Sequence, residues 1–190
     1  MILESYPWKQ DLLRRIALIK KYNSTEFFQK NEGRAYTVLE KSIFYSAFIV
    51  RKLLDCKSKL SDDADKYSLN VQELAPLKTI NFFNSHRIDQ NYNWEKTRNA
   101  TISGRDICNY LIHSYLFQFI YCDNPRLITN FIVASDRIKD RFLYMVQFEE
   151  WLKYLNFIAL DDIVECKMIY DNKLKDYRFV KKSAVNVDAI

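Results

Sequence analysis

Glycine and proline are almost missing from this chain, with two and three residues of 190. Average usage would give about 13 and about 9. The shortage excludes a repertoire of tight glycine-dependent turns, and with it glycine-rich phosphate loops, collagen-like repeats and low-complexity linkers. Many-stranded sandwiches are disfavoured and long helices favoured. The four cysteines, Cys56, Cys108, Cys122 and Cys166, include no C-x-x-C pair. Neither a zinc knuckle nor a thioredoxin-type motif is present. A chain of this length needs no disulfides, and reduced thiols fit a cytoplasmic setting. With only two histidines, His86 and His113, a histidine-based metal site would need carboxylate or thiolate help, so neither metal nor cofactor is expected. The longest apolar runs are five residues or fewer, against roughly 20 needed to cross a bilayer. The N-terminus shows no basic segment followed by an apolar stretch. These features point to a cytoplasmic protein without a membrane partner.

What is there is apolar volume. Hydrophobic residues make up 48% and charged residues 28%. Surface scaling has a chain this long bury about 70% of its unfolded area, enough for one sizeable core. The net charge is +5 and the pI about 8.9, mildly basic and short of the value above about 9 expected of a committed nucleic-acid binder. Aromatics are abundant, 13 Phe, 13 Tyr and 3 Trp. Interleaved with Lys and Arg they could stack on bases; the reading preferred here is that they fill the core.

Along the chain, Leu12, Leu13, Ile16, Ala17 and Ile19 recur at helical spacing behind Pro7 and Trp8. A short helix over 25–30 stops near Gly33, and a long one covers 34–58, its stripe running from Tyr36 through Ile43 and Ala47 to Leu54. Leu69, Val71 and Leu74 form a strand or a helical turn, and the Asn-rich stretch 81–93 forms a loop whose Ile80, Phe82 and Phe83 need burial. Ser103 caps a helix predicted over 104–122, with Asp106 at the capping-box position and Asp123-Asn124-Pro125 as its stop. The period then changes from 3.6 to 2. Residues 131–135 and 142–147 read as paired strands across a charged turn, 148–155 as a short helix, and 163–170 with 177–182 as a second hairpin, followed by a frayed tail from Ser183. The second hairpin carries six Lys/Arg against three Asp/Glu over 163–182, a net +3. Such an edge either touches phosphates or keeps an edge strand from aggregating, and the second reading is preferred.

One group of residues carries chemistry. On the 104–122 helix Asp106, Asn109 and His113 lie within about 60° of one another round the axis. Buried polar groups must be paired, so two polar residues and a histidine on an otherwise apolar helix mean either a structural network or an acid/base centre. In the second case the imidazole moves a proton. Asn109 orients the scissile group, and a nearby Arg stabilises a developing oxyanion.

The segment Cys108-Asn109-Tyr110-Leu111-Ile112-His113 resembles the motif of the HEPN superfamily, in which an Arg is followed by a polar residue, three further residues and a His. Asn109 and His113 match; Cys108 stands where the family has its Arg. The resemblance implies a compact helical protein of a prokaryotic defence or stress system, usually dimeric, whose active members are metal-independent endoribonucleases. A thiol supplies no cation, so Arg105, one turn away, or Arg51 on the preceding long helix would have to serve as the phosphate clamp.

The expected fold class is α+β: an N-terminal bundle of about four helices over 1–125, packed as one unit with a small antiparallel β/α part over 126–190. The expected function is a HEPN-like regulatory or interaction module that binds RNA or a partner protein, as a homodimer. The alternative is an endoribonuclease with His113 as general acid/base, Asn109 orienting, and Arg51 or Arg105 holding the phosphate.

Overall fold

In the computed structural model, which describes residues 2–123 and 126–184, the dominant element is a five-stranded antiparallel sheet. This corrects the expected small sheet beside a helical bundle. The order in the chain is α1 (Tyr6–Tyr22), α2 (Thr25–Asp55), α3 (Asp62–Lys66), β1 (Ser68–Pro76), α4 (Ile88–Asn91), β2 (Tyr92–Ser103), α5 (Gly104–Ile112), β3 (Ser114–Asp123), β4 (Arg126–Ser135), β5 (Leu143–Gln147), α6 (Phe148–Leu160), β6 (Ile163–Asp171) and β7 (Asp176–Ala184). The main sheet runs β2-β1-β5-β4-β3, and β6–β7 form a separate ribbon. Three strands of the main sheet precede residue 125 and two follow it. The first 125 residues are therefore not a helical bundle, and the core spans the expected division. Asn124, Pro125 and residues 185–190, where a helix stop and most of a frayed tail were expected, lie outside the described residues.

The largest departure is at 114–123. The helix expected over 104–122 ends at Ile112, and the rest is β3. Its apolar residues satisfy both periods, but Tyr, Phe and Ile favour a pleated surface. Alternation sends Phe117, Phe119 and Tyr121 to one face and Leu116 and Ile120 to the other. The first face meets α2 in a ladder of rings: Phe44 on Phe117 at 4.7 Å, Tyr36 on Phe119 at 5.1 Å, and Phe28 on Tyr121 at 6.0 Å. Aromatic pairs of this kind contribute beyond the area they bury.

Helices α1, α2, α5 and α6 pack on that same side of the sheet. Trp151, Tyr154, Leu155 and Ile158 of α6 follow i, i+3, i+4, i+7 spacing and are fully buried. The expected helices 25–30 and 34–58 join in α2 with a break at Asn31, whose carboxamide oxygen accepts the Arg34 N–H at 3.0 Å and caps the second segment. On the opposite face, Leu74, Ile80, Ile88, Tyr92, Ile132 and Leu143 form a smaller core under the 77–91 segment. Ile80 is buried as expected, but Phe82 and Phe83 stand in solvent at 81% and 84% exposure. Asn81 and Asn84 brace that loop: Asn81 Oδ1 accepts the Phe83 N–H at 2.9 Å, and Asn84 Oδ1 accepts the Asn81 N–H at 2.8 Å. Among the described residues no helix is long and apolar enough to cross a membrane.

The β6–β7 ribbon is tied to the body through Lys182. Its backbone N–H donates to Asp62 at 3.0 Å and its buried ammonium to Asp65 at 3.1 Å. A two-stranded hairpin has little stability of its own, so this anchor holds it in place. Replacing Lys182 by alanine is expected to speed amide exchange across 163–184 while the main thermal transition stays in place. Undiminished protection of the ribbon would show the anchor to be dispensable.

Candidate functional site

The site is built on α5. Ser103 accepts the Asp106 N–H at 3.0 Å and donates to the Asp106 carboxylate at 2.6 Å, so Ser103 and Asp106 close the helix start as their spacing predicts. Ile107, Cys108 and Leu111 are buried and anchor the helix. Asp106, Asn109, Tyr110 and His113 line an open cleft of about 590 Å³ whose far wall is Ser135–Ile138, between β4 and β5. Tyr110 stacks on Tyr144 at 5.7 Å with the planes 9° apart. Burial first, then the charge of Glu73, pushes the Tyr144 hydroxyl up to about 12. Burial and, second, Asp106 raise that of Tyr110. Both phenols are therefore neutral across the physiological range.

His113 is the residue at which α5 ends. Its N–H still donates to the Asn109 carbonyl at 3.0 Å, but its backbone has left the helix and its side chain is exposed. Asn109 is half-buried, and its oxygen accepts from Arg51 Nε at 2.7 Å. Arg51 also pairs with Asp55, one turn along α2. Arg105 pairs with the same Asp55 at 3.1 Å, donates to the Leu54 carbonyl at 2.8 Å and lies 3.6 Å from Asp65. Burial, and then the neighbouring Arg105, lower the Arg51 pKa, though a guanidinium stays charged. The structure thus links Arg105, Asp55, Arg51 and Asn109 in one chain of contacts and sets His113 in the cleft that Asn109 also lines. Cys108, at the motif's Arg position, is fully buried. Burial drives its thiol pKa up despite the nearby Arg51 and Arg105, so it is neither a cation nor a nucleophile.

Sequence spacing did not reveal Asp55 as the hub, although Arg51 and Asp55 stand at i and i+4, the separation at which helical ion pairs form. Nor did it reveal the facing wall. There Arg137 is exposed and has no ion pair among the described residues, whereas Asp136 is paired with Lys139 at 2.7 Å. No group of three His, Cys, Asp or Glu that could hold a metal ion occurs among the described residues. Chemically, the cleft offers a solvent-accessible imidazole, the exposed Arg137 guanidinium, the Asp106 carboxylate and a tyrosine face. Compared with known proteins, the chain matches no family model, no curated protein and no solved structure.

Proposed function

We propose that this chain is a non-catalytic interaction module and that the His113 cleft is its recognition surface for a partner protein. The observation that carries this reading is the engagement of both candidate clamps: Arg51 and Arg105 are bound to Asp55, and Arg51 also holds the Asn109 oxygen. A phosphorane-like transition state needs preorganised cations aimed at it, and neither guanidinium is free for that task. The charges lining the cleft are also mixed, with Asp106 and Asp136 against Arg137. That mixture suits the polar surface of a protein better than a run of phosphates. The resemblance of Cys108–His113 to the HEPN motif adds a cytoplasmic defence or stress system and a homodimeric state to the same proposal.

A second reading, metal-independent cleavage of RNA with His113 as general acid/base, is favoured by one observation: the imidazole is exposed in a cleft whose opposite wall carries Arg137, which has no ion pair among the described residues. The two readings separate in one assay. Single-stranded and structured RNAs are incubated in EDTA with the wild-type protein and with His113→Ala. The expected result is no cleavage by either protein. Cleavage by the wild type that is lost in the variant would overturn the module reading and establish the nuclease.

A further inference from the structure

The β6–β7 ribbon projects from the body with an apolar face that the core does not use. Cross-strand partners share a face. The pairs Met168–Phe179 and Tyr170–Tyr177 therefore set four large side chains side by side, the two tyrosine rings 5.2 Å apart. Met168 is 53% exposed and Tyr177 62%. Between this face and the end of α2 runs an open groove of about 860 Å³. One wall holds Met168, Tyr177 and Phe179, and the other Trp8, Lys52 and Lys57.

Charge decides what fits there. The ribbon carries a net +3 over 163–182 and the whole chain +5. Two acids also border the groove: Asp55, already paired with Arg51 and Arg105, and Asp176, whose carboxylate accepts the Tyr177 N–H at 2.7 Å and is counted in the ribbon's net +3. Lys52 and Lys57 are exposed and have no acidic partner among the described residues; Lys52 lies 5.6 Å from the Phe48 ring. A second copy of the ribbon would set like charge against like. The matching occupant is an anion that also presents flat apolar groups, and a single strand of nucleic acid has both, with unstacked bases for the rings and phosphates for the lysines. A duplex keeps its bases stacked inside and offers the rings nothing.

We propose that this groove binds single-stranded nucleic acid, with Trp8, Tyr177 and Phe179 as stacking platforms and Lys52 and Lys57 as phosphate contacts. The site is separate from the His113 cleft, and the cleavage assay above does not bear on it.

The test is fluorescence anisotropy of the full chain with labelled ten-nucleotide RNA and DNA strands, the corresponding duplexes and a poly-glutamate peptide. Both single strands are expected to bind at 50 mM salt, and each duplex at least tenfold more weakly. Tyr177→Ala is expected to weaken single-strand binding about fivefold or more, as for loss of one stacked base. Tyr177→Phe, which keeps the ring, should restore it. Lys57→Ala is expected to lower the slope of log K against log salt by about 0.7. His113 lines the other cleft, so His113→Ala should leave single-strand binding in this groove as it is, which keeps failure here distinct from failure of the cleft reading. The proposal falls if neither strand binds, if duplex binds as well as single strand, if Tyr177→Ala and Lys57→Ala leave binding intact, or if only the acidic peptide binds.

Discussion

Gly104→Ala is expected to lower the stability of the protein by about 3 kcal/mol, the upper part of the range for overpacking a well-filled core. The reason is a close approach. A Cβ on Gly104 would overlap the hydroxyl and ring of Tyr154. Tyr154 is fully buried and is held between Tyr67 at 5.0 Å and Trp151 at 5.7 Å, so the ring has nowhere to go. α5 cannot lift away instead, because the Gly104 N–H donates to the Tyr67 carbonyl at 2.8 Å and Ile107, Cys108 and Leu111 are sunk in the core. For a domain of this size the loss corresponds to roughly 6–12 °C in Tm. Thermal unfolding followed by circular dichroism measures it, and a drop under 2 °C would show that the ring or helix yields freely. Tyr154→Phe is the matched control. The hydroxyl has no oxygen or nitrogen partner among the described residues and lies beside the weakly bonding Cys108 thiol, so its removal should cost less than about 0.5 kcal/mol.

Asp161→Ala is expected to cost about 3–4 kcal/mol through a different mechanism. The Asp161 carboxylate, buried just past α6, accepts the Ser61 N–H at 2.9 Å and the Ser61 hydroxyl. Ser61 in turn caps α3 by accepting the Ala64 N–H. The Asp161 carbonyl accepts from the buried ammonium of Lys9, which also reaches Asp162 at 2.8 Å. Ser61 thus meets residue 161 at its carboxylate and Lys9 meets it at its carbonyl, and only the first contact is lost with the side chain. Hydrogen bonds to charged groups are worth roughly 1.5–3 kcal/mol each, and removing the acceptor leaves buried donors unpaired. Asp161→Asn, which retains one acceptor oxygen, should lose about half as much. Urea titration with an unchanged m-value checks both variants, and a loss below about 1 kcal/mol in the alanine variant would mean that water replaces the carboxylate.

Much of the helical layer was legible before any coordinates. The stripes of α1 and of the two segments of α2 are long enough for period to identify them, α6 was read over 148–155 and runs on to Leu160, and Ser103 with Asp106 marks the start of α5 through backbone chemistry that acts over three residues. The second hairpin was legible for a similar reason, as two short alternating runs around a polar turn. β3 was not. Residues 114–123 present an apolar stripe under either period, and what selects the strand is not in the segment. It is the partner β4 along its edge and the rings of Phe28, Tyr36 and Phe44 waiting on α2. That misreading, with β1 left open between strand and helical turn and β2 not read as a strand, produced the expected bundle.

The candidate site divides along the same line. That Asn109 and His113 stand one turn apart follows from their spacing on α5, a matter of helical geometry. That Asn109 is bound to Arg51, that Arg105 joins Arg51 on Asp55, and that Arg137 faces the cleft from between β4 and β5 all depend on residues separated by tens of positions. Local chemistry acts along the chain over three or four residues, and it set the helices, their caps and the ribbon. Which way His113 looks, and what stands opposite it, was settled only when the sheet closed against α2 and α5, because burial of the shared core is the force that chose among the locally permitted arrangements.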